Sequence, residues 1–334
     1  MTFPTLTDYK GAIANAPRRL RGIEALACRD DRGEPRFLAG NFAGVFKMEA
    51  ADGSTLAVKC FIRDLPALGR RYEAVARFLR AAGSPYLVTL DYHPEALFVT
   101  SRLAASADYP VVVMPWLEGR TLGAVAESLC QRRNQRALAG LTRAWARLCL
   151  DLAARGVAHG DLKHDNVLIT PEGRLKLIDY DSMYLPELRD LKCTLLGGVN
   201  FQHPGRRDIH FDAGMDHFSI LVILLSLRAL TLAPELFERH HTSENLIFCR
   251  DDFVKPSDSP LFQHLARSND LFVRDWTDRL ARCCAQPPGP VAGIKRLLGA
   301  ARKLDAVEEA PGLKWLFYQT ANVAGRWLPA PGAP

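Results

Sequence analysis

The run His159-Gly160-Asp161-Leu162-Lys163-His164-Asp165-Asn166 leads directly into the apolar triplet Val167-Leu168-Ile169. It constrains the chain more than any other stretch. One short loop carries a carboxylate, an amine two positions on and an amide three further on. Transfer of a phosphoryl group calls for that set: a group to orient the attacking hydroxyl, a cation for the transferred charge and an oxygen ligand for Mg²⁺. A second acidic site, Leu177-Ile178-Asp179-Tyr180-Asp181, follows on what reads as the next strand.

The rest of the chain sets a neutral background. A length of 334 residues makes two domains or one bilobal unit, with ample material for a buried core. Hydrophobic content of 48%, charged content of 24% and a net charge of +6 are ordinary for a globular protein. The basic clusters at Arg18, Arg19 and Arg21, at Arg132, Arg133 and Arg136, and at Arg206 and Arg207 are scattered. They read as solvated faces, so no nucleic-acid partner is expected. The eight cysteines show no Cys-x-x-Cys or Cys/His ligand spacing, which suits free thiols in a reducing compartment. Asp8 and Lys10 interrupt the place where a signal peptide needs its apolar stretch, and the most apolar segment, residues 220–227, is too short to span a bilayer. The expectation is a cytoplasmic protein with no membrane partner.

Local patterning predicts a short helix near residues 8–14 and an irregular basic stretch up to residue 35, set apart as an N-terminal extension. Strands are predicted at 36–39, 44–50 and 55–61, the last two joined by an Asp52-Gly53 turn. Leu68, Tyr72, Val75, Phe78 and Leu79 give residues 66–82 helical spacing. Two further strands fall at 96–101 and 109–114. Beyond Gly119 the chain is mostly helical, including 138–155 and the very apolar 216–230. The predicted fold class is α+β and bilobal. A small antiparallel β lobe with one helix, residues 36–115, precedes a larger helical lobe, residues 116–308, and a tail at 309–334.

These motifs, in this order, resemble the catalytic and metal-binding loops of the protein-kinase family over about residues 36–300. The resemblance implies ATP and Mg²⁺ as cofactors and a protein substrate. Asp161 then matches the catalytic base and Lys163 the lysine that neutralises γ-phosphate charge. Asn166 and Asp179 match Mg²⁺ ligands, and Leu168 the floor of the adenine pocket. In the small lobe, Gly40-Asn41-Phe42-Ala43-Gly44-Val45 is similar to a degraded glycine-rich loop, although in isolation a plain hairpin explains it better. Ala57-Val58-Lys59 follows at hairpin distance, with Ala57 beside the nucleotide and Lys59 on its α- and β-phosphates. A buried lysine needs an anion, and Glu73 is the acid well inside the following helix. Its other reading is a surface residue beside Arg70 and Arg71. Met114, Pro115 and Leu117 fit the gatekeeper and hinge positions.

Several positions depart from the family pattern. Gly160 stands where regulated kinases have arginine, so Thr194 lacks its usual charge partner once phosphorylated. Asp181 replaces a glycine. In an extended segment it would point with Asp179 toward the metal, and in a turn it would merely cap. Gly205 replaces a glutamate, while Gln286-Pro287-Pro288-Gly289-Pro290 lacks the arginine that would pair with it. Both halves of that bridge are missing together, as in a divergent, bacterial-type lineage. Asp216 matches the aspartate that holds the catalytic loop's backbone. The reading is a divergent serine/threonine protein kinase. Two alternatives stand beside it: a small-molecule kinase of aminoglycoside-phosphotransferase type, since His-Gly-Asp-Leu occurs there too, and a nucleotide-binding pseudokinase that engages a partner. Residues 231–275 match no motif and offer a docking surface. Neither the substrate nor the oligomeric state is legible.

Overall fold

A computed structural model describes residues 2–305. The chain divides at Leu117/Glu118 into a small unit and a larger one. The small unit is built on an antiparallel sheet of six strands: β1 (Ala25–Ala27), β2 (Phe37–Ala39), β3 (Ala43–Ala50), β4 (Thr55–Phe61), β5 (Asp91–Val99) and β6 (Ala107–Pro115). The order is β1-β3-β4-β6-β5, with β2 also on β3. Helices α1 (Leu6–Ile13) and α2 (Ala16–Arg19) precede the sheet, and α3 (Leu68–Ala82) follows β4.

The N-terminus differs from the expected extension. Residues Tyr9, Ala12, Ile13, Ala16 and Leu20 recur every three or four positions and are buried against Phe46, Met48, Val58, Leu97 and Val111 of the sheet. Thr5 starts α1 with a capping box: its hydroxyl accepts from Asp8 N–H at 3.2 Å, and its own N–H donates to Asp8 Oδ2 at 2.9 Å. Strand β1 adds to β3 through Ala27 opposite Met48. This segment is core and sheet edge of the small unit. Strand β5 also begins earlier than its apolar pattern suggests. Pro94, which has no N–H to give, falls where its register with β6 slips between His93 and Leu97.

In the larger unit, β7 (Arg120–Thr121), β8 (Val167–Ile169) and β9 (Leu175–Leu177) form a small antiparallel sheet in that order. Around it lie α4 (Leu122–Gln131), α5 (Gln135–Arg155), α6 (His217–Leu232), α7 (Glu235–His240), α8 (Arg250–Val254), α9 (Pro260–Ala266), α10 (Leu271–Cys284) and α11 (Ile294–Ala301). Helix α6 is apolar on every side because it is enclosed on every side; Phe218 through Thr231 are all buried. Trp145 of α5 donates its indole N–H to the Ile220 carbonyl at 3.3 Å, which fixes α5 against α6. The segment 231–275 is ordered, with Phe248, Phe253 and Phe262 packed ring on ring beneath α6. The predicted tail at 309–334 lies outside the described residues. Among the described residues, no helix is long and apolar enough to cross a membrane.

If α1 belongs to the core, Ile13→Ala removes a fully buried side chain and lowers unfolding free energy by about 2–5 kcal/mol. Urea denaturation of the full chain measures this. A change below about 0.5 kcal/mol would mean that residues 1–35 are an appendage after all.

Candidate active site

The two units each carry part of the predicted site. In the small unit, Lys59 stands on β4 opposite Val45 of β3 and Val112 of β6, and Ala57 stands opposite Met114. Cross-strand partners and residues two apart share a sheet face, so Val45, Ala57, Lys59 and Met114 share one. Lys59 is only 5% exposed. Gly40, Asn41 and Phe42 form the tight connection between β2 and β3, closed by Gly40 N–H to the Ala43 carbonyl at 2.9 Å. Phe42 lies under the Arg63 guanidinium at 5.5 Å. Pro115 is exposed at the end of β6, and Trp116 N–H ties the following turn to the Thr55 carbonyl at 2.9 Å. Leu117 is half-buried as the unit ends. Glu73 faces solvent on α3, where its charge adds to burial in raising the pKa of Tyr92. Arg71 is the buried charge of that helix, and its Nε donates to the Pro66 carbonyl at 3.0 Å.

In the larger unit the loop after α5 is held from three directions. Gly156 ends α5, and the next residues pair with the far end of the metal-site segment, with Tyr184 N–H donating to the Ala158 carbonyl at 2.8 Å. The Asp216 carboxylate, 2% exposed at the start of α6, accepts from the N–H groups of both His159 and Gly160, the latter at 2.9 Å. The His159 ring reaches the Ile178 carbonyl through Nε2 at 2.9 Å. Ile178 N–H in turn donates to the Asn166 carbonyl at 3.1 Å. Asn166 and the residue before Asp179 are therefore neighbours across the β8–β9 ladder.

Asp161, Lys163 and Asn166 come together. The Asn166 amide donates to Asp161 Oδ2 at 3.0 Å and to its carbonyl at 2.8 Å, while Lys163 Nζ lies 3.7 Å from Oδ2. The other oxygen, Oδ1, accepts from Gly198 N–H at 2.9 Å. An ionised carboxylate has about four lone-pair positions, so room remains for an incoming hydroxyl. Leu168 of β8 is half-buried one strand away.

Asp179 has left-handed backbone, φ +68°, which is uncommon for a residue with a side chain. Its neighbours hold it there. The Tyr180 hydroxyl donates to the Leu177 carbonyl at 2.7 Å, and Met183 N–H closes a turn on the Tyr180 carbonyl at 3.1 Å. The premise of an extended segment through Asp181 therefore fails, because a left-handed residue and then a turn break the alternation. Asp181 itself lies outside the left-handed region. It is buried, and its carbonyl accepts from the Thr194 hydroxyl at 3.3 Å.

Gly160 has φ +85°, and a Cβ there would fall 2.3 Å from the Ser182 carbonyl oxygen and 2.9 Å from Met215 Cε. The segment beyond Asp179 is seated on bare backbone, so no arginine can occupy that position in this fold. Gly197 plays the matching part across the loop. Its φ is +79°, and a Cβ would come within 2.8 Å of Asp161 Oδ1. The Gly197-Gly198 pair is thus what lets a backbone N–H reach the Asp161 carboxylate.

His164 was also missed. It is buried against Phe201 with ring centroids 5.2 Å apart, and burial holds its imidazole below the usual pKa, hence neutral near pH 7. At Gly205 the absent bridge is replaced by packing: His203 accepts from Gly205 N–H at Nδ1 (2.9 Å), and its Nε2 reaches the Cys283 carbonyl at 3.0 Å.

No protein-family model matches the chain. A stretch of 155 residues, 44% of the chain, is 32% identical to CBL-interacting protein kinase 16 of rice (Oryza sativa subsp. japonica), covering 31% of that protein. A stretch of 157 residues, 45% of the chain, is 29% identical to serine/threonine-protein kinase PAK 4 of mouse (Mus musculus), covering 25% of it. The matches span less than a third of either relative's length. They support a distant, kinase-like relationship over under half of this chain. The mixed architecture, an antiparallel sheet unit and a helical unit, is compatible with that relationship.

The seat at Gly160 has a measurable consequence. Gly160→Ala meets both a left-handed backbone, about 1–2 kcal/mol, and a hard contact, so it lowers stability by about 2 kcal/mol or more. Gly205→Ala, whose nearest neighbour would be 3.3 Å away, stays within about 0.5 kcal/mol of the parent. Thermal denaturation of the two variants side by side decides it. Equal melting temperatures would refute the close seat.

Proposed function

We propose that the chain transfers the γ-phosphoryl group of ATP, with Mg²⁺, to serine or threonine hydroxyls of a protein substrate. The observation that carries this reading is the Asp161 carboxylate. It is oriented by Asn166, flanked by Lys163 and mounted on a loop held by the buried Asp216. A carboxylate so placed orients an acceptor hydroxyl and takes its proton as the new P–O bond forms. Lys163 offsets charge as it shifts to the transferred group. Lys59, on the small unit's sheet, would hold the α- and β-phosphates, with Glu73 as its partner if α3 presents that residue on nucleotide binding.

The donor set suits Mg²⁺. This cation takes one or two carboxylates and completes its shell with water and phosphate oxygens rather than a protein cage. Asp179 and Asn166 are hard oxygen donors on adjacent strand ends. Among the described residues no group of three His, Cys, Asp or Glu forms a cage for some other metal. Mg²⁺, once bound with the nucleotide, neutralises charge on the β- and γ-phosphates. Asp179 would pay for its strained backbone with that ligation.

A small-molecule acceptor is the second reading, favoured by the tight seat at Gly160, which removes the arginine used in phosphorylation-dependent protein kinases. Packing of residues 197–201 onto Asp161 and His164 favours a protein substrate instead, because it builds a wall beside the acceptor carboxylate.

Radiolabel transfer from γ-labelled ATP tests both, using a generic protein substrate and an aminoglycoside panel as acceptors. Asp161→Ala abolishes transfer while ATP affinity stays within a few-fold, because hydroxyl and nucleotide contacts are separate. Asp179→Ala loses the Mg²⁺ dependence of nucleotide binding in calorimetry. Transfer by Asp161→Ala at more than a tenth of the parent rate would defeat the assignment.

A further inference from the structure

A cavity of about 330 Å³ lies within the larger unit, between the 203–215 segment and the end of α10 with its proline-rich loop. That volume falls at the lower end of the range of small-molecule sites. Arg206, Arg279 and Arg282 line it together with His210, and Asp212 is the single carboxylate on its wall. The charged residues on its wall are these three guanidinium cations and one carboxylate, and two of the cations are engaged in ion pairs along α10. Asp212 is already engaged, accepting from Gly214 N–H at 2.7 Å.

Arg206 is the unusual member. It is 8% exposed, and among the described residues its terminal nitrogens donate to Gln202 Oε1 and, at 3.5 Å each, to Cys193 Sγ and Met215 Sδ. Its Nε is buried with no acceptor at all. Sulfur is a weak acceptor, and a buried cation without an anion is costly to the fold. Arg279 and Arg282 are held less firmly. Each pairs four residues back along α10, with Asp275 and Asp278 at 2.8 Å, in exposed surroundings where such pairs contribute little. Both can turn toward a stronger anion. His210 accepts from Arg207 N–H at Nδ1, leaving Nε2 as a further donor. Pro287, Pro288 and Pro290 form a stiff rim without N–H groups.

We propose that this cavity binds a phosphate monoester. Such a group carries about −1.5 to −2 charge, more than the single carboxylates that now face Arg279 and Arg282. Its oxygens accept the paired N–H groups that guanidinium presents. A carboxylate ligand would offer no more charge than Asp275 or Asp278 already gives, and a bare phosphate would leave much of the space empty. The proposal is independent of the catalytic reading, since none of these side chains belongs to the Asp161 site.

Calorimetry on the full chain tests it with three probes: a phosphoserine hexapeptide, glycerol 3-phosphate and inorganic phosphate. The unphosphorylated hexapeptide serves as control. Saturable binding of a phosphorylated probe is expected, lost with the control peptide and weakened at least tenfold in Arg279→Gln/Arg282→Gln, which removes only two ion pairs within α10. A phosphopeptide preferred tenfold over glycerol 3-phosphate makes the ligand a phosphorylated side chain, and equal affinity makes it a small ester. Arg206→Met should weaken binding as well, while Asp161→Ala should not, which separates this site from the catalytic one. No saturable binding of any phosphorylated probe, or binding unchanged in the double variant, overturns the proposal.

Discussion

Two backbone N–H groups donated to one buried carboxylate organise the larger unit. Asp216 sits where α6 begins, so the positive end of that helix helps to stabilise its charge. The N–H groups of His159 and Gly160 complete its shell. A buried carboxylate without such donors would be untenable, so the loop and α6 hold each other. From that anchor the rest of the site follows in short steps. His159 reaches across to Ile178, Ile178 pairs with Asn166, and Asn166 orients Asp161.

Much of this was legible in sequence because the chemistry is local. Asp161, Lys163 and Asn166 lie within six residues, and a loop of that length brings them together whatever surrounds it. The long helices α5 and α6 were legible from apolar spacing and from an unbroken apolar run. What escaped reading depends on close approach between distant segments. Nothing in the string Gly197-Gly198 says that its backbone will touch Asp161. Likewise, nothing in Thr5-Leu6-Thr7-Asp8-Tyr9 says that α1 packs into the sheet, because its pattern matches any short amphipathic helix. At Asp181 the sequence left two conformations open, extended or turned, and the left-handed backbone at Asp179 that separates them is not visible in the residue pattern. Glu73 carries the right charge in the right helix, yet it faces solvent.

Glycine and backbone conformation give two of the departures from the kinase pattern a steric reason. Gly160 is demanded by Ser182 and Met215, and Gly197 by Asp161 and Gln202. Asp179 is in a conformation that costs about 1–3 kcal/mol, flanked by a tyrosine hydroxyl bonded to the Leu177 carbonyl and by a turn at Tyr180–Met183. The missing bridge at Gly205 leaves room for His203 to tie the 203–205 turn to the end of α10. Next to that tie lies the arginine-lined cavity.

The central claim is that Asp216 holds a loop built for phosphoryl transfer. Hydrogen–deuterium exchange on the full chain, parent against Asp216→Ala, tests it most directly when transfer from ATP is measured on the same samples. Losing the carboxylate leaves two buried N–H groups unsatisfied, about 1–3 kcal/mol each. The account predicts that exchange rises by tenfold or more across residues 157–166 and 178–184, that α6 stays protected from residue 220 onward, and that transfer is lost. Unchanged exchange in the loop, or transfer retained within threefold of the parent, would contradict it.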